Sequence, residues 1–597
     1  MKTKLVLIWA IILLGQKSFA QLSLGDAVVT MCDYQGTGRT VKIFNVTDTS
    51  GAPRGDNWGL TPTPDYPTWN SSNLGQVFGI AINTTDADHT IYVSNTQAYP
   101  QTGALTYPNG LQNYPTPSPA GVVLIWALNP STGSYTPLVT STLAGGTLTS
   151  HDSTVIFNCG SGLGNICYDK IHDQIFATNM EDGRIYRIKA ATGKILSRLD
   201  PFRKFTYVGT NIPKVVDLGE RIWGIGFDNH FSGQEAKLQN KLYFAQWNTD
   251  LGDQNSTANA IYSVGIDYGT GEFIATVGSS IYEYLDSLPH LEITIPQIAT
   301  SPANAIPYSN PVSDIKISST SGMMLLAEKT MSAEAGGAGL AGVANLVGTI
   351  AEYWAHRARV LRYNASGNTW TASGNNYFVG NYALTTNTGY TPVNYRSTNC
   401  SGGVDFGMNF STKAIGIYDS CVYMVWATGD ALKHPSFPGG SNPGEYVYGI
   451  AGIPLSGNSV YGASGPPQSE DLSSIYQDMF SNNVGGYQSS KGLPGDIQIY
   501  REACFNDVAV NTVAAPEILT CYPNPFSNVF TLKFDNYSSE RAVIDITDNI
   551  GNIVRRTENL NYGPNQLNIN LSDLASGFYI VKVSIGDKLK VAKVVKE

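Results

Sequence analysis

The feature that most constrains the fold of this chain is a short unit of alternating strands that recurs from near the N-terminus to residue 500. Each unit opens with Gly, Asn or Asp and then alternates apolar residues with small or polar ones. A period of two is the pattern of a β-strand that buries one face. Six segments open in this way: Gly79–Asn83, Asn165–Asp169, Gly224–Asp228, Asp314–Ile317, Gly403–Gly407 and Asp496–Tyr500.

Further strands follow the first five openings. Second strands, rich in aromatic and aliphatic residues, are expected at Thr90–Asn95, Gln174–Asn179, Lys241–Ala245, Met323–Ala327 and Val422–Trp426. Third strands are expected at Val122–Leu128, Arg184–Ile188, Ala260–Ile266, Arg359–Tyr363 and Val447–Ile453, and some units add a fourth, such as Lys194–Leu199. Four short strands to a unit, repeated radially, are typical of a β-propeller. A row of β-sandwiches would need linkers about every hundred residues, and the sequence shows none.

The two ends of this region complete each other. Asp496–Tyr500 looks like a first strand with no second strand after it, while Ala27–Met31 and Val41–Phe44 look like second and third strands without a first. Joining them makes one composite blade and closes the ring, which removes the exposed edges of an open sheet. We therefore predict an all-β, six-bladed propeller over residues 21–507, with a seventh blade within Ser456–Gly492 as the alternative.

The composition suits many short, tightly turned strands. The 597 residues include 61 Gly and 34 Tyr, and only 14% are charged, against about a quarter in ordinary soluble domains. This excludes a coiled coil and a charge-rich disordered chain. With a net charge of -10 we expect no nucleic-acid partner, because a phosphate backbone selects basic proteins.

The N-terminus has the pattern of a secretory signal peptide over residues 1–20. Two early lysines precede the apolar run Leu5–Leu14, and cleavage is expected between Ala20 and Gln21. The run has about ten residues, whereas a membrane-spanning helix needs about twenty. We therefore expect an exported and soluble mature chain.

Seven cysteines in an exported chain imply some disulfide pairing and at least one free thiol. No C-x-x-C spacing occurs, so zinc and thioredoxin-type sites are not indicated. Cys521 is the candidate for the free thiol. The candidate disulfides are Cys159 with Cys167, Cys400 with Cys421, and Cys32 with Cys504, the last of which would lock the composite blade.

Beyond an Ala- and Pro-containing linker at residues 508–520, residues 521–597 are expected to form a separate, small, sandwich-like β-domain, the tail. It opens with Tyr522-Pro523-Asn524-Pro525-Phe526, whose prolines cannot belong to a central strand. Alternating strands are expected at Val529–Phe534, Ala542–Thr547, Leu567–Leu574, Gly577–Val583 and Lys588–Val595.

Four motifs of the tail carry a resemblance to a known family. They are the opening Tyr522-Pro523-Asn524-Pro525, the turn Asp548–Asn552, the segment Leu574–Val581 with Gly577 and Tyr579, and the ending Lys593–Lys596. Through them the tail resembles the type A C-terminal sorting domain of the type IX secretion system of Gram-negative bacteria. The resemblance implies recognition by the outer-membrane translocon, followed by release or by attachment to surface lipopolysaccharide. It places the protein outside the cell or on its outer surface.

The repeated region also resembles surface propellers of the same bacteria, through the segments Asp169–Ile188 and Ser401–Gly407. That resemblance implies a fold and a location. It implies no reaction, because propellers host both binding and catalysis.

Motifs for catalysis and for cofactors do not emerge from the sequence. The seven histidines are scattered, with no H-x-H or H-E-x-x-H, so no zinc site is indicated. His172 is expected to be a polar turn residue. We expect no cofactor. Calcium is the alternative, through two acidic pairs that lack a calcium-loop pattern and are more simply explained as solvated turn acids: Asp86 with Asp88, and Glu181 with Asp182.

Aspartates on the first strands are the most suggestive residues, because first strands line the channel of a propeller. They would gather near the axis, where six-bladed hydrolases and sugar dehydrogenases hold a metal ion or a catalytic base. The simpler interpretation, which we favour, is that they accept hydrogen bonds in turns between blades. The five are Asp169, Asp228, Asp314, Asp405 and Asp496.

Two loops rich in aromatic residues are the remaining candidates for a ligand-binding site. Trp58 and Trp69 lie in Gly55–Asn73, and a loop rich in Tyr and Pro spans Tyr99–Pro119. Exposed aromatic rings stack on sugars, although packing inside the protein explains them equally well. We therefore expect a secreted or surface-anchored propeller that serves binding or adhesion, with a glycan or a protein as ligand. The alternative is an extracellular hydrolase, lyase or sugar dehydrogenase with an axial, metal-assisted site.

Deletion of residues 521–597 tests the sorting role of the tail. The truncated chain keeps its signal peptide but lacks the region that resembles a sorting domain, so we expect it to remain inside the cell envelope. Immunoblots of periplasmic, surface-exposed and medium fractions measure the distribution. Normal delivery to the surface would refute the assignment.

Overall fold

A computed structural model gives the structure of the chain. The residues it describes are 21–32, 38–47, 52, 58–96, 123–140, 162–180, 182–202, 216, 218–228, 240–249, 257–274, 276–278, 282–285, 288–297, 309–318, 322–329, 357–367, 369–373, 377, 379–380, 398–407, 424–433, 447–455, 475–479, 493–501, 520–536, 541–548, 552–559, 563–585 and 588–597. The expected signal peptide lies outside these residues. So does the expected linker, except for Thr520, which begins the first strand of the tail.

The chain divides into two compact units, residues 1–502 and 503–597. In the first unit, five four-stranded antiparallel sheets follow one another, and we call them blades 1 to 5. Within each blade the four strands lie side by side in chain order, from an inner strand to an outer strand. They are Val77–Ile82, Ile91–Asn95, Val123–Leu128 and Tyr135–Thr140 (blade 1); Leu163–Asp169, Gln174–Asn179, Arg184–Lys189 and Ile195–Asp200 (blade 2); Arg221–Asp228, Lys241–Trp247, Ala260–Gly265 and His290–Thr294 (blade 3); Val312–Ser318, Met323–Glu328, Val360–Ser366 and Thr369–Ala372 (blade 4); and Thr398–Gly407, Met424–Lys433, Val447–Pro454 and Ile475–Asp478 (blade 5).

Blade 6 is built from both ends of the first unit. Its inner strand is Leu493–Ile499, its second strand is Asp26–Cys32, and its third strand is Val41–Asn45. The inner and second strands pair antiparallel, with Val29 opposite Ile497. The composite blade predicted from the sequence is thus confirmed.

The six inner strands contact one another in cyclic order, from blade 1 to blade 6 and back to blade 1. The six sheets of the described residues therefore surround one axis, as in a β-propeller. Apolar clusters fill the space between neighbouring blades. The cluster between blades 1 and 2, for example, contains Tyr92, Ile166, Ile175 and Tyr186, all of them buried.

A hydroxyl group on the second strand links neighbouring blades at a repeated position. The inner strands carry a β-bulge, which frees a backbone N–H from the ladder. In blade 5, Thr428 Oγ1 accepts from Gly403 N at 2.9 Å and donates to the carbonyl oxygen of Gly495, in blade 6, at 2.7 Å. The same relay joins Gly79 to Gly164 through Ser94, Asn165 to Trp223 through Thr178, and Asp496 to Phe78 through Thr30.

Because equivalent positions meet in successive blades, all inner strands run in the same direction along the axis. We call the face of the ring at which they begin the start face, and the opposite face the end face. Since the blades are antiparallel, the connections between second and third strands lie at the start face.

Three short strands and one short helix lie outside this pattern. Thr276–Gly278 and Tyr282–Leu285 extend the outer edge of blade 2, Arg357–Ala358 pairs in parallel with the inner strand of blade 5, and the helix Ser71–Leu74 precedes blade 1. Within the segment considered for a seventh blade, residues 475–478 form the outer strand of blade 5, and 456–474 and 480–492 lie outside the described residues. No helix in the described part of the chain is long and apolar enough to cross a membrane.

The tail consists of two sheets around one apolar core. One sheet contains Thr520–Tyr522, Val529–Asn536 and Gly563–Asn570, and the other contains Ile553–Asn559, Ala542–Thr547, Gly577–Ile585 and Lys588–Lys596, in these spatial orders. Phe530 and Leu532 of the first sheet pack with Ile544 and Val581 of the second. This is the small sandwich-like domain expected from the sequence.

Cys167, Cys400 and Cys521 are free thiols. The result for Cys521 agrees with the sequence analysis, whereas those for Cys167 and Cys400 depart from the two sequence-near disulfides expected there. Both side chains lie inside the ring, where burial raises the pKa of Cys400 to about 12. Their expected partners, Cys159 and Cys421, lie outside the described residues, as do Cys504 and the side chain of Cys32, so the disulfide of the composite blade stays a prediction.

Thr428→Val tests the hydroxyl relay. The substitution keeps the shape of the side chain but leaves the N–H of Gly403 and the carbonyl of Gly495 without their partner, so we expect the free energy of unfolding to fall by about 1–3 kcal/mol. Thr136→Val, at an exposed position of the outer strand of blade 1, is the matched control. Urea unfolding of the mature chain measures both, and equal midpoints would contradict the role of the relay.

Candidate functional site at the axis of the ring

One position from each inner strand lies at the axis. It precedes an Ile or Val that pairs with the second strand, and it is glycine in blades 1, 3 and 5 but Asn or Asp in blades 2, 4 and 6. In ring order, the six axial residues are Gly79, Asn165, Gly224, Asp314, Gly403 and Asp496.

Glycine is required at the axis in the odd-numbered blades because atoms of the neighbouring inner strand lie too close for a side chain. A Cβ atom on Gly79 would lie 2.6 Å from Oδ1 of Asn165, and one on Gly403 would lie 2.6 Å from the carbonyl oxygen of Gly495. Both distances are shorter than any that real Cβ atoms show, so only glycine fits there. The side chains of the other three blades therefore occupy the axis, and all three are fully buried.

The two axial aspartates accept hydrogen bonds from the backbone of their own blade and of the next. Oδ1 of each accepts from the N–H of the following residue at 2.8 Å. Oδ2 of Asp314 accepts from Val404 N in blade 5 at 3.0 Å, and Oδ2 of Asp496 accepts from Ile80 N in blade 1 at 2.9 Å. Each carboxylate thus joins two neighbouring inner strands.

Asn165 reaches across the ring from blade 2 to blade 4. Its Nδ2 donates to the carbonyl oxygen of Ser313 at 2.9 Å and to Oδ1 of Asp314 at 3.1 Å. The amide can span blade 3 because Gly224 has no side chain in its way.

Asp314 and Asp496 also share a hydrogen bond with each other. Burial, and then the neighbouring carboxylate of Asp496, raise the pKa of Asp314 well above its ordinary value, and burial raises the pKa of Asp496. Two carboxylates in contact away from water cannot both ionise. The pair therefore keeps a proton to higher pH than an isolated aspartate does, and Asp314 is the hydrogen-bond donor to Asp496.

Two cations balance the remaining negative charge. Nζ of Lys316 lies 3.3 Å from Oδ1 of Asp314, and Nη2 of Arg501 lies 2.9 Å from Oδ1 of Asp405. Burial alone would lower the pKa of Lys316, but the carboxylates of Asp314, Asp496 and Asp405 outweigh it and raise that pKa.

This arrangement is closed rather than open to a substrate. Every oxygen of Asp314 and Asp496 already accepts from a backbone N–H, and N–H groups stabilise an anion instead of helping to bind a cation. The residues therefore do not fit calcium at this position. Nor do the described residues contain a group of three or more His, Cys, Asp or Glu side chains that could hold a metal ion.

The other aspartates predicted to line the channel have different surroundings. Asp169 is the last residue of the inner strand of blade 2, and its carboxylate holds the turn that follows within the same blade: Oδ1 accepts from Ile171 N at 3.0 Å, and Oδ2 contacts Nδ1 of His172 at 2.6 Å. His172 is a residue of that turn. Asp405 accepts from Ile499 N in blade 6 at 2.8 Å. The side chain of Asp228 lies outside the described residues.

The acidic pairs considered for calcium serve local turns. Asp86 accepts from Thr90 N at 3.0 Å, and Asp88 is exposed. Asp182 accepts from Arg184 N at 3.1 Å, and Glu181 lies outside the described residues.

Trp69 is not available to stack on a sugar. It is fully buried, its Nε1 donates to the carbonyl oxygen of Gly133 at 3.1 Å, and its ring lies 4.2 Å from that of Tyr66. Trp58 is partly buried against the core between blades 5 and 6. The loop Tyr99–Pro119 lies outside the described residues.

The sequence analysis missed Asn165 and Lys316 as members of the axial cluster. A signal for both exists in the sequence. When the six opening segments are aligned on the Ile or Val, glycine alternates with Asn or Asp at one position, and Lys316 appears two residues after Asp314.

In the tail, the sorting motif covers the edge of the last strand. Asn524 Nδ2 donates to the carbonyl oxygen of Lys593 at 2.9 Å, and its Oδ1 accepts from Val595 N at 2.8 Å. Tyr522 and Gly577 are exposed, Pro523 and Pro525 flank Asn524, and Nζ of Lys593 lies 4.5 Å from the centre of the Phe578 ring. Tyr579 donates to Ala575 O at 2.7 Å, and Lys596 donates to Leu574 O.

Comparison with known proteins supports the division of the chain into a ring and a C-terminal tail. Residues 520–597 match the family described as "Secretion system C-terminal sorting domain". The match confirms the resemblance seen in the sequence and indicates a protein exported by the type IX secretion system of Bacteroidetes. Such proteins are often attached to the cell surface.

Three solved structures illustrate remote structural similarity to this chain. It is similar to the Dos1 propeller (10% identity, 87% of this chain and 91% of that one, TM-score 0.28). It is also similar to a GH74 enzyme from Niastella koreensis (12%, 97% and 74%, 0.30) and to a chain of a nidogen/laminin complex (11%, 59% and 84%, 0.24). No curated protein matches it by sequence. Likenesses this remote carry no argument about activity.

The fold and the tail together define the class. The protein is an exported β-propeller with a type IX sorting domain at its C-terminus.

The shared proton of the axial pair makes stability depend on pH. The folded state keeps a proton that an unfolded Asp releases above about pH 4, so the unfolded state binds fewer protons and the free energy of unfolding falls as pH rises. Asp314→Asn cannot ionise. We expect its urea midpoint to change less between pH 5 and pH 8 than that of the wild type.

Asp88→Asn is the matched control, because it removes the same charge from an exposed position. It should keep the pH profile of the wild type, even though Asp314→Asn also lowers stability at every pH by removing one backbone hydrogen bond. Parallel profiles for Asp314→Asn and the wild type would show that the pair holds no extra proton.

Proposed function

We propose that the propeller is a binding or adhesion module for a glycan or a protein, displayed outside the cell, and that it binds through its start face. Three of the longest connections between blade strands, 96–122, 329–359 and 373–397, join strand ends at that face. Connections beyond about 12–15 residues are uncommon in compact domains and usually carry function. Among the connections whose two ends lie at the same face, these three are the longest, and the end face has shorter ones such as 266–289 and 455–474. This difference between the two faces is the observation that carries the proposal.

The axis supports a binding role over the enzymatic alternative. The carboxylates of Asp314 and Asp496 hold the blades together and offer no free oxygen to a metal ion or to a substrate. On the start-face side of them, the rings of Phe78 and Trp223 lie 5.4 Å apart and are fully buried. A ligand that approached the axis from this face would therefore meet buried aromatic rings rather than the carboxylates.

Replacing residues 97–122 by a short Gly/Ser turn tests the proposal. The flanking strands are antiparallel partners, with Ser94 opposite Ile125, so a tight turn can join them without disturbing blade 1. We expect the variant to keep the melting temperature of the wild type and to lose at least tenfold in affinity for whichever immobilised glycan or surface protein the mature chain binds.

The matched control replaces residues 456–474, which join the third and outer strands of blade 5 at the end face. It should keep the affinity of the wild type. Glycan arrays and binding to whole cells provide the readouts. Equal loss in both variants, or hydrolysis of a glycan on the array, would overturn binding through the start face.

A further inference from the structure

One outer surface of the tail is apolar where a solvated sheet is usually polar. It belongs to the last two strands, Gly577–Ile585 and Lys588–Lys596, which pair antiparallel. Successive side chains of a strand point to opposite sides of the sheet. Tyr579, Val581 and Val594 of these strands point into the core of the tail, so the alternate residues point outward. We call the outward side of the two strands the terminal face.

The terminal face carries an apolar patch that is exposed to solvent. Phe578 lies opposite Val595 in the register, and Val591 lies opposite Lys582. Phe578 is 43% exposed and Val591 is 41% exposed. Among the described side chains of this face, four of seven are apolar, two are lysines and none is acidic. The seven are Phe578, Ile580, Lys582, Ser584, Val591, Lys593 and Val595.

The outward side of the other sheet of the tail has the composition expected of a surface that faces water. Most of its side chains are polar, and Thr531 hydrogen-bonds to Oδ1 of Asn568 at 3.0 Å. Each sheet already buries one side in the shared core, and an antiparallel sheet tolerates water on its other side. The apolar residues of the terminal face are therefore not required by the fold of the tail, which indicates that another molecule covers them.

The charges beside the patch restrict the chemistry of that molecule. Nζ of Lys593 lies 4.5 Å from the centre of the exposed Phe578 ring. Asp545, on the neighbouring strand, lies opposite Lys582, but both of its oxygens accept from Arg556, at 2.6 and 2.7 Å. The terminal face thus combines an apolar centre with positive charge, which is complementary to an apolar surface with acidic side chains at its rim.

The family match of the tail indicates which kind of molecule this is. Residues 520–597 match secretion sorting domains, and a sorting domain interacts with the secretion machinery. Two of the four motifs that carry the resemblance, Leu574–Val581 and Lys593–Lys596, lie on the two strands of the terminal face. The part of the tail most typical of a sorting domain is therefore also the part that exposes apolar side chains.

We propose that the tail docks on a protein of the type IX translocon through the terminal face, and that the translocon offers an apolar groove with acidic side chains at its rim. Phe578 and Val591 enter the groove, and Lys582 and Lys593 pair with the acids. The proposal concerns the tail alone, so it is independent of the binding function of the ring. Its failure would leave the sorting role, which the deletion tests, intact.

Charge reversal at one of two matched lysines tests the proposal. Lys593 and Lys533 are both exposed and both lie over an aromatic ring, Lys533 at 5.0 Å from the centre of Tyr522, but they belong to opposite sheets. In the full chain, produced in a bacterium with a type IX system, Lys593→Glu should lower the amount on the surface and in the medium about tenfold, because like charges then meet. Lys533→Glu is the control and should be delivered normally.

A photoreactive residue in place of Val591 or Val529 identifies the partner. The two valines are equally exposed, at 41% and 42%, and lie on opposite sheets. We expect cross-links from position 591 to a translocon protein of the outer membrane, identified by mass spectrometry, and none from position 529. Urea unfolding of the mature chain checks that both lysine variants keep the wild-type midpoint. If Lys593→Glu shifts that midpoint, the cross-linking decides alone.

Four results would overturn the docking surface. They are normal delivery of Lys593→Glu, an equal loss of delivery in Lys533→Glu, absent cross-links from position 591, and equal cross-links from positions 591 and 529. Anionic lipid is the competing partner of a basic, apolar face. Binding of the wild-type chain to phosphatidylglycerol vesicles that Lys593→Glu abolishes, and Lys533→Glu does not, would assign the face to lipid and also overturn the proposal.

Discussion

The ring depends on buried carboxylates that accept hydrogen bonds from the backbone of the next blade. A carboxylate without water is costly unless donors surround it, and here the inner strands supply the donors to Asp314 and Asp496 from two blades at once. The glycines of the alternate blades make room for this. The axial side chains of blades 2, 4 and 6 fill the space that the glycines of blades 1, 3 and 5 leave open. Removing any one of these three side chains therefore affects the packing of the whole axis.

Most of the architecture could be predicted from the sequence, because strands that bury one face alternate visibly. The composite blade followed from incomplete units at the two ends, and Val29 indeed pairs with Ile497. The outer extension of blade 2 by Tyr282–Leu285 could not be predicted, since a hairpin that pairs with a neighbouring blade has no local signal. The sorting tail was predictable because its motifs are specific.

The axial site was predictable only in part. Aspartates on inner strands were expected near the axis, but whether a carboxylate binds a ligand or a backbone N–H depends on where its neighbours' backbones lie. Asp314 and Asp405 have the same residue type and the same kind of strand, yet one shares a proton and the other pairs with Arg501. The residue type also did not show whether the Trp69 ring is exposed or buried, and the structure places it in the interior.

The composite blade also determines how the ring bears mechanical load. If the protein is held at the cell surface through its C-terminal side, tension enters the ring at the end of Leu493–Ile499. That strand is paired lengthwise with Asp26–Cys32, and Tyr500 exchanges further backbone hydrogen bonds with Gly25 and Asp26. A pull along these strands loads all of the bonds together in shear, so they must break at once rather than one after another. Drag on a bound partner is therefore resisted where the two ends of the propeller meet.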